Sequence, residues 1–169
     1  KARQTYSKQQ LHPDEFPYFE NGEDQLILTV CNKKIAPAIC YESLQPDHSD
    51  KASKLGAEIY LASVAKPKNG VDKAMIHYPE VAKKYSMPVL MSNCVGFCDT
   101  FHSVGKSSVW TKQGKLAGQL DDKSEGCGQD FQGNPQRSYL SEPARSSFPL
   151  AKTKMARRES WKFTLGSTD

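Results

Sequence analysis

Residues 34 to 47 read KIAPAICYESLQPD, from Lys34 to Asp47. The apolar run Ile35 to Ile39 predicts a short strand that delivers one cysteine, Cys40. Tyr41, Glu42 and Ser43 follow, and Pro46-Asp47 opens an amphipathic helix with Asp47 as its expected N-cap. A cysteine between a buried strand and a helix sits on a sharp turn, with its sulfur exposed and backbone N–H groups close by. Such N–H groups hold a thiolate or an oxyanion. A lone cysteine closing an apolar strand is more often a small core residue. Cys40 therefore needs partners elsewhere in the chain before it acquires a chemical role.

Outward from this stretch, strand and helix alternate. Leu26 to Cys31 reads as a strand, turned by Asn32-Lys33 into the run that ends at Ile39. Pro37 removes a ladder donor, which predicts a bulge or an edge position. Ala52 and Leu55 give a short helical face that stops at Gly56. Ile59 to Val64 reads as a buried strand, and residues 65 to 70 as a loop. Val71, Met75, Tyr78, Ala82 and Tyr85 have helical spacing, with Pro79 expected to kink or split the helix. Pro88 to Ser92 is another strand, and Val109-Trp110 pairs with Leu116 to Leu120 around Lys112-Gln113-Gly114. The alternation predicts an α/β fold.

With 169 residues the chain suffices for one domain with its own core. Its hydrophobic fraction is 37%, and no apolar run approaches the roughly 18 residues of a membrane helix. Lys1 to Gln10 is polar throughout, so no signal peptide is expected there. Five cysteines in no disulfide-like array favour a reducing, cytoplasmic setting.

The net charge of +4 is unevenly placed. Residues 136 to 169 carry 7 basic side chains (Arg137, Arg145, Lys152, Lys154, Arg157, Arg158, Lys162) and 3 acidic ones (Glu142, Glu159, Asp169). That leaves 16 basic and 16 acidic side chains in residues 1 to 135. The globular part thus makes no electrostatic case for nucleic acid. Polyanion binding through a basic tail is a separate possibility, set against an ordinary solvated tail. From Cys127 onward the chain is rich in Gly, Ser, Pro, Arg and Gln without a clear period. Residues 1 to 126 read as the domain and 127 to 169 as a tail, either disordered or the product of a reading-frame slip near Glu125-Gly126.

The partners of Cys40 lie in Tyr6-Ser7-Lys8-Gln9-Gln10-Leu11, followed by Asp14-Glu15, Phe19 and Gly22. Lys8, a glutamate seven residues on, an aromatic, a glycine and then Ile39-Cys40-Tyr41-Glu42 after a strand resemble the nitrilase superfamily of carbon–nitrogen hydrolases. The match continues through Gly56 to Ser63, Ser92-Asn93-Cys94-Val95-Gly96 and Gly105 to Val109. The resemblance implies an αββα sandwich, two stacked sheets with outer helices, incomplete in this chain. It implies a hydrolase of nonpeptide C–N bonds acting on a small amide or nitrile, without metal or organic cofactor. It also suggests a homo-oligomer. Carried over by position, Cys40 is the nucleophile, Lys8 the lysine of a Glu–Lys–Cys triad, and Glu15 a second glutamate that positions substrate and assists proton transfer. The triad's base glutamate lies before the lysine in that family, whereas none of Lys1 to Ser7 is acidic. The expectation is the centre of such a domain, not a competent hydrolase by itself although its complete parent is one. A noncatalytic fragment that keeps the fold is the rival reading.

The chemistry is coherent on its own terms. A free cysteine has a pKa near ~8.5 and is mostly thiol at neutral pH. An ammonium beside it favours the thiolate. The same ammonium, with the N–H of Tyr41, would hold the developing oxyanion. Alone, Lys8 would be a surface lysine and Glu15 a loop carboxylate. Glu42 is either a wall of the site or a carboxylate of the helix-cap region. Ser63 and Asn93 close strands, where they line a pocket or satisfy local backbone. Cys94, Cys98 and His102 would share a face only on a continuous helix, where they could bind zinc. Val95-Gly96-Phe97 does not read as helix, and no fourth ligand is evident.

Overall fold

The computed structural model describes residues 5–98 and 100–123, together with the backbone of residues 162–164. The elements run β1 (Thr5–Ser7), β2 (Leu28–Val30), β3 (Lys33–Ile39), a 3-10 turn (Cys40–Leu44), α1 (Pro46–Lys54), β4 (Ile59–Val64) and α2 (Lys68–Tyr85). They continue as β5 (Val89–Asn93), β6 (Val95–Cys98), β7 (Phe101–Val104), β8 (Ser108–Trp110), β9 (Leu116–Gln119) and β10 (Lys162–Thr164).

Six strands form one mixed sheet in the order β2-β3-β4-β5-β8-β9. Its centre, β3, β4 and β5, is parallel, as the intervening helices require. Hairpin strands extend it antiparallel on both sides. In β4 and β5 alternate residues point to opposite faces. Tyr60, Ala62, Val64, Val89 and Met91 pack against Ala52 of α1 and Ala74, Tyr78, Val81 and Ala82 of α2. Trp110 of β8 closes this core against Tyr78, their rings 5.4 Å apart. On the other face Ile35, Ile59, Leu61, Leu90 and Val109 are half-buried, while Ser63 and Ser92 are exposed. Beside the two-stranded pairs β6-β7 and β1-β10, the described residues therefore supply one large sheet and one helix layer, half of a four-layer sandwich. Among the described residues no helix is long and apolar enough to cross a membrane.

Several local expectations change. The helix from Lys68 to Tyr85 continues through Pro79 as one element and takes in residues assigned to the preceding loop. Proline costs about 3 kcal/mol inside a helix. Val71, Ala74, Tyr78, Val81 and Ala82, all buried on one face, outweigh that local cost. Asp47 is not the N-cap: Gln45 holds that position, Pro46 is the first helical residue and Asp47 lies in the first turn. Of the two readings of Pro37, the edge position holds and no bulge is needed. β2 pairs with β3 only up to Ile35, so Pro37 lies beyond its reach. β2 itself is shorter than the apolar run suggests.

β10 pairs antiparallel with β1, Tyr6 opposite Phe163. The expectations of a polyanion-binding tail and of a disordered or frame-slipped tail otherwise fall on residues outside those described.

Candidate active site

The carboxyl ends of β3, β4 and β5 open on one side of the sheet, where parallel α/β sheets bind ligands. Each end carries a polar residue: Cys40 after β3, Lys66 after β4 and Asn93 at the end of β5.

Cys40 starts the 3-10 turn with φ +48°, a left-handed conformation unusual for a residue with a side chain. Such strain persists only where the surroundings over-determine it. Ser43 Oγ donates to the Cys40 carbonyl at 2.5 Å and lies 2.7 Å from the Tyr78 hydroxyl, which ties the turn to α2. The half-buried Cys40 thiol points to the Ala65 carbonyl, Sγ to O 3.8 Å.

Lys8 and Glu15 form an ion pair, and Lys8 is 2% exposed. Glu15 also accepts the backbone N–H of His12 at 2.6 Å, so its carboxylate closes its own loop around the ammonium. A lysine this deep requires a partner. Tyr41 is half-buried, its ring edge-on to His12 at 5.1 Å.

Glu42 is fully buried and turned away from solvent. Its Oε1 accepts the Ile39 N–H at 2.7 Å and the Tyr6 hydroxyl at 2.9 Å. Its Oε2 accepts the N–H groups of Gln9 at 2.6 Å and Gln10 at 3.2 Å. Burial pushes its carboxyl above the ordinary range, and the hydrogen bonds from Ile39, Gln9, Tyr6 and Gln10 oppose this. Tyr6 continues to His48 Nε2 at 2.9 Å, and His48 Nδ1 to the Tyr60 hydroxyl at 2.7 Å. Sequence reasoning left Glu42 open between site wall and cap-region carboxylate; its bonds run to Ile39 beside the turn and to Tyr6, Gln9 and Gln10 around Lys8.

Asn93 is a clamp. Its Oδ1 accepts the Lys66 N–H at 2.8 Å, and its Nδ2 donates to the carbonyls of Lys66 at 3.2 Å and Gly105 at 2.7 Å. Ser103 Oγ adds a second hold on both Lys66 backbone groups. Ser63 lies on the exposed sheet face, in register with Ile39 and Ser92. Cys94 and Cys98 have their sulfurs 3.0 Å apart, but β6 is a strand, so the helical spacing behind the zinc reading does not apply.

Lys66 was missed by sequence reasoning, which saw it only as a loop lysine. Its side chain is 5% exposed. Burial lowers its pKa, as does the positive charge of Lys8 and Lys73, whereas the charge on Cys40 raises it. The available signal was its position, two residues beyond the end of a central parallel strand.

A buried lysine–glutamate pair, and a cysteine on a strained strand-to-helix turn backed by a buried glutamate, lie on a half-sandwich. The model of the carbon-nitrogen hydrolase family matches residues 1–129. The chain belongs to that family. Among solved structures, an amidase of the nitrilase superfamily from Nesterenkonia AN1 superposes with a TM-score of 0.65 at 23% identity, over 70% of this chain and 46% of that one. A glutamine-dependent NAD+ synthetase from Acinetobacter baumannii gives 0.66 at 23%, over 71% and 24%. A form of the Nesterenkonia amidase with the acetamide moiety of fluoroacetamide added at its active-site cysteine gives 0.61 at 25%, over 69% and 45%. The chain spans less than half the length of these solved relatives. No curated protein matches the sequence.

Proposed function

We propose that the protein hydrolyses the C–N bond of a small nonpeptide amide or nitrile through a cysteine-bound acyl intermediate. The observation that carries this is the left-handed turn at Cys40, whose following glutamate binds the backbone directly after Lys8. The covalent adduct on the cysteine of the Nesterenkonia amidase supports the same role for Cys40.

For an amide, the Cys40 thiolate attacks the carbonyl carbon and the electron pair moves to oxygen. The Lys8 ammonium and the Tyr41 N–H meet the resulting oxyanion. As the oxyanion collapses, the C–N bond breaks, and the nitrogen takes up a proton and leaves as ammonia. Water then attacks the thioester, releasing the acid and restoring the thiol. Glu15, bonded to Lys8, is the carboxylate that steers proton transfer. The partners are the small substrate and a second copy of the chain, which the half-buried apolar sheet face favours.

The test is incubation of the 169-residue chain with a panel of simple amides and nitriles, read by intact mass and ammonia release. An acyl adduct confined to Cys40, absent from Cys40→Ser, is expected. Ammonia released equally by Cys40→Ala, or neither adduct nor ammonia from any member of the panel, would overturn it.

A further inference from the structure

We propose that Lys66 is a second cation of the nucleophile, holding the Cys40 thiolate from the β4 side while Lys8 acts from the other. This rests on Cys40 being the reactive thiol of the proposed hydrolase, but not on turnover.

Three observations converge on it. First, Lys66 is built in. Asn93 and Ser103 bind both its N–H and its carbonyl, and the Val104 N–H adds a third bond to that carbonyl at 3.3 Å. Two strands, β5 and β7, thus fix the backbone that launches this side chain, a degree of support that surface lysines do not receive. Gly70 leaves room for its stem: a Cβ there would come within 3.2 Å of the Lys66 Cβ. Second, Lys66 is adjacent to the thiol, because the Ala65 carbonyl that precedes it is the group the Cys40 sulfur meets. Third, its charge is answered by the site. Among the described residues the charge favouring its ammonium is that of Cys40. The other groups facing it are cationic or titrate as bases: Lys8 from the loop after β1, and Lys73 and His77 from α2.

Lys8 is already matched by Glu15, so the positive charge of that pair is partly spent before the thiol is reached. A buried ammonium without such a match has a strong preference for a nearby anion. When the thiol proton leaves to solvent, the thiolate supplies that anion. The arrangement then passes to the acyl-transfer step, where the negative charge moves from sulfur to the substrate oxygen within reach of the same two ammonium groups.

The experiment is the pH dependence of iodoacetamide alkylation at Cys40 in the full chain, followed by peptide mass spectrometry so that the other cysteines serve as internal controls. Lys66→Met should slow alkylation at pH 7 by about tenfold, the change in thiolate fraction when a neighbouring cation is lost, with the same plateau at high pH. Lys66→Arg should recover most of the rate, and Lys73→Met should leave it within about twofold, since its charge is more exposed and screened. Far-ultraviolet circular dichroism establishes that each variant is folded. Should Lys66→Met prove unfolded, Lys66→Gln, which also removes the charge, carries the test with the same expected slowing. An unchanged alkylation profile in folded Lys66→Met would overturn the proposal. So would equal slowing of alkylation at Cys31. Failure of amide hydrolysis with these shifts intact would refute the hydrolase reading and leave Lys66 in its role.

Discussion

Gln9 donates its backbone N–H to Glu42 Oε2 at 2.6 Å, joining the peptide after Lys8 to the turn after Cys40 across 33 residues. Gln10 adds a second bond to the same oxygen, and Ile39 binds the other oxygen at 2.7 Å. One carboxylate thus shapes the cysteine turn and anchors the lysine loop together. Glu42→Gln presents an N–H₂ where an acceptor is needed, which leaves a buried backbone donor unpaired. A loss of about 1–3 kcal/mol is expected, together with slower alkylation of Cys40. Urea unfolding and iodoacetamide kinetics check both. A wild-type midpoint would show that the donors find other partners.

The left-handed backbone at Cys40 predicts an inversion of the usual ranking of substitutions. Cys40→Ala keeps a Cβ at φ +48°, whereas Cys40→Gly removes it. Left-handed residues with a Cβ cost about 1–2 kcal/mol, so Cys40→Gly should be the more stable of the two by about 1 kcal/mol. Thermal and urea unfolding of both variants decide this, and a less stable glycine variant would show that the turn is not strained.

Burial pushes the His48 imidazole down to about 4, with the positive charge of Lys51 adding to the fall and Asp47 opposing it. The unfolded imidazole, near ~6.5, takes a proton first. Stability therefore falls as pH drops from about 6.5 towards 4, by roughly 3 kcal/mol in all. Glu42 acts in the opposite sense, since its raised carboxyl binds a proton more readily in the fold. Comparing wild type with His48→Asn isolates the imidazole. Between pH 7 and 4.5 the wild type should lose stability relative to the variant, by urea unfolding at each pH.

Asn93→Ala removes an acceptor from the Lys66 N–H and a donor from two carbonyls. Destabilisation of about 2 kcal/mol is expected. Hydrogen exchange should speed up at Lys66 and Gly105 while the β3 amides remain protected. Uniform change across the sheet would mean that Asn93 supports the whole domain rather than this loop.

Asn93→Asp separates geometry from charge at the same position. Its Oδ1 still accepts from Lys66, but a carboxylate now faces two carbonyl oxygens. The variant should be destabilised at pH 7 and recover as the pH is lowered through the carboxylate range. Unfolding midpoints across that range provide the check.

Local pattern carried much of this protein. The run ending at Ile39, the short helix after Pro46, the strand Ile59–Val64 and the hairpin around Gly114 are all legible, because each depends on residues close in sequence. Cys40 between a strand and a helix was visible in the same way, whereas Lys8 and Glu15 were singled out by the family resemblance. Only the tertiary structure decided what depends on packing. Pro79 stays helical because one face of α2 is buried along its length. Glu42 serves the backbone because its two oxygens meet the N–H of Ile39 in its own turn and those of Gln9 and Gln10 from a distant loop. Lys66 became part of the site because the parallel register of β3, β4 and β5 brings their carboxyl ends together. Strand pairing and burial join residues that no local period connects, and those joins determine which polar side chains face the chemistry and which hold the frame.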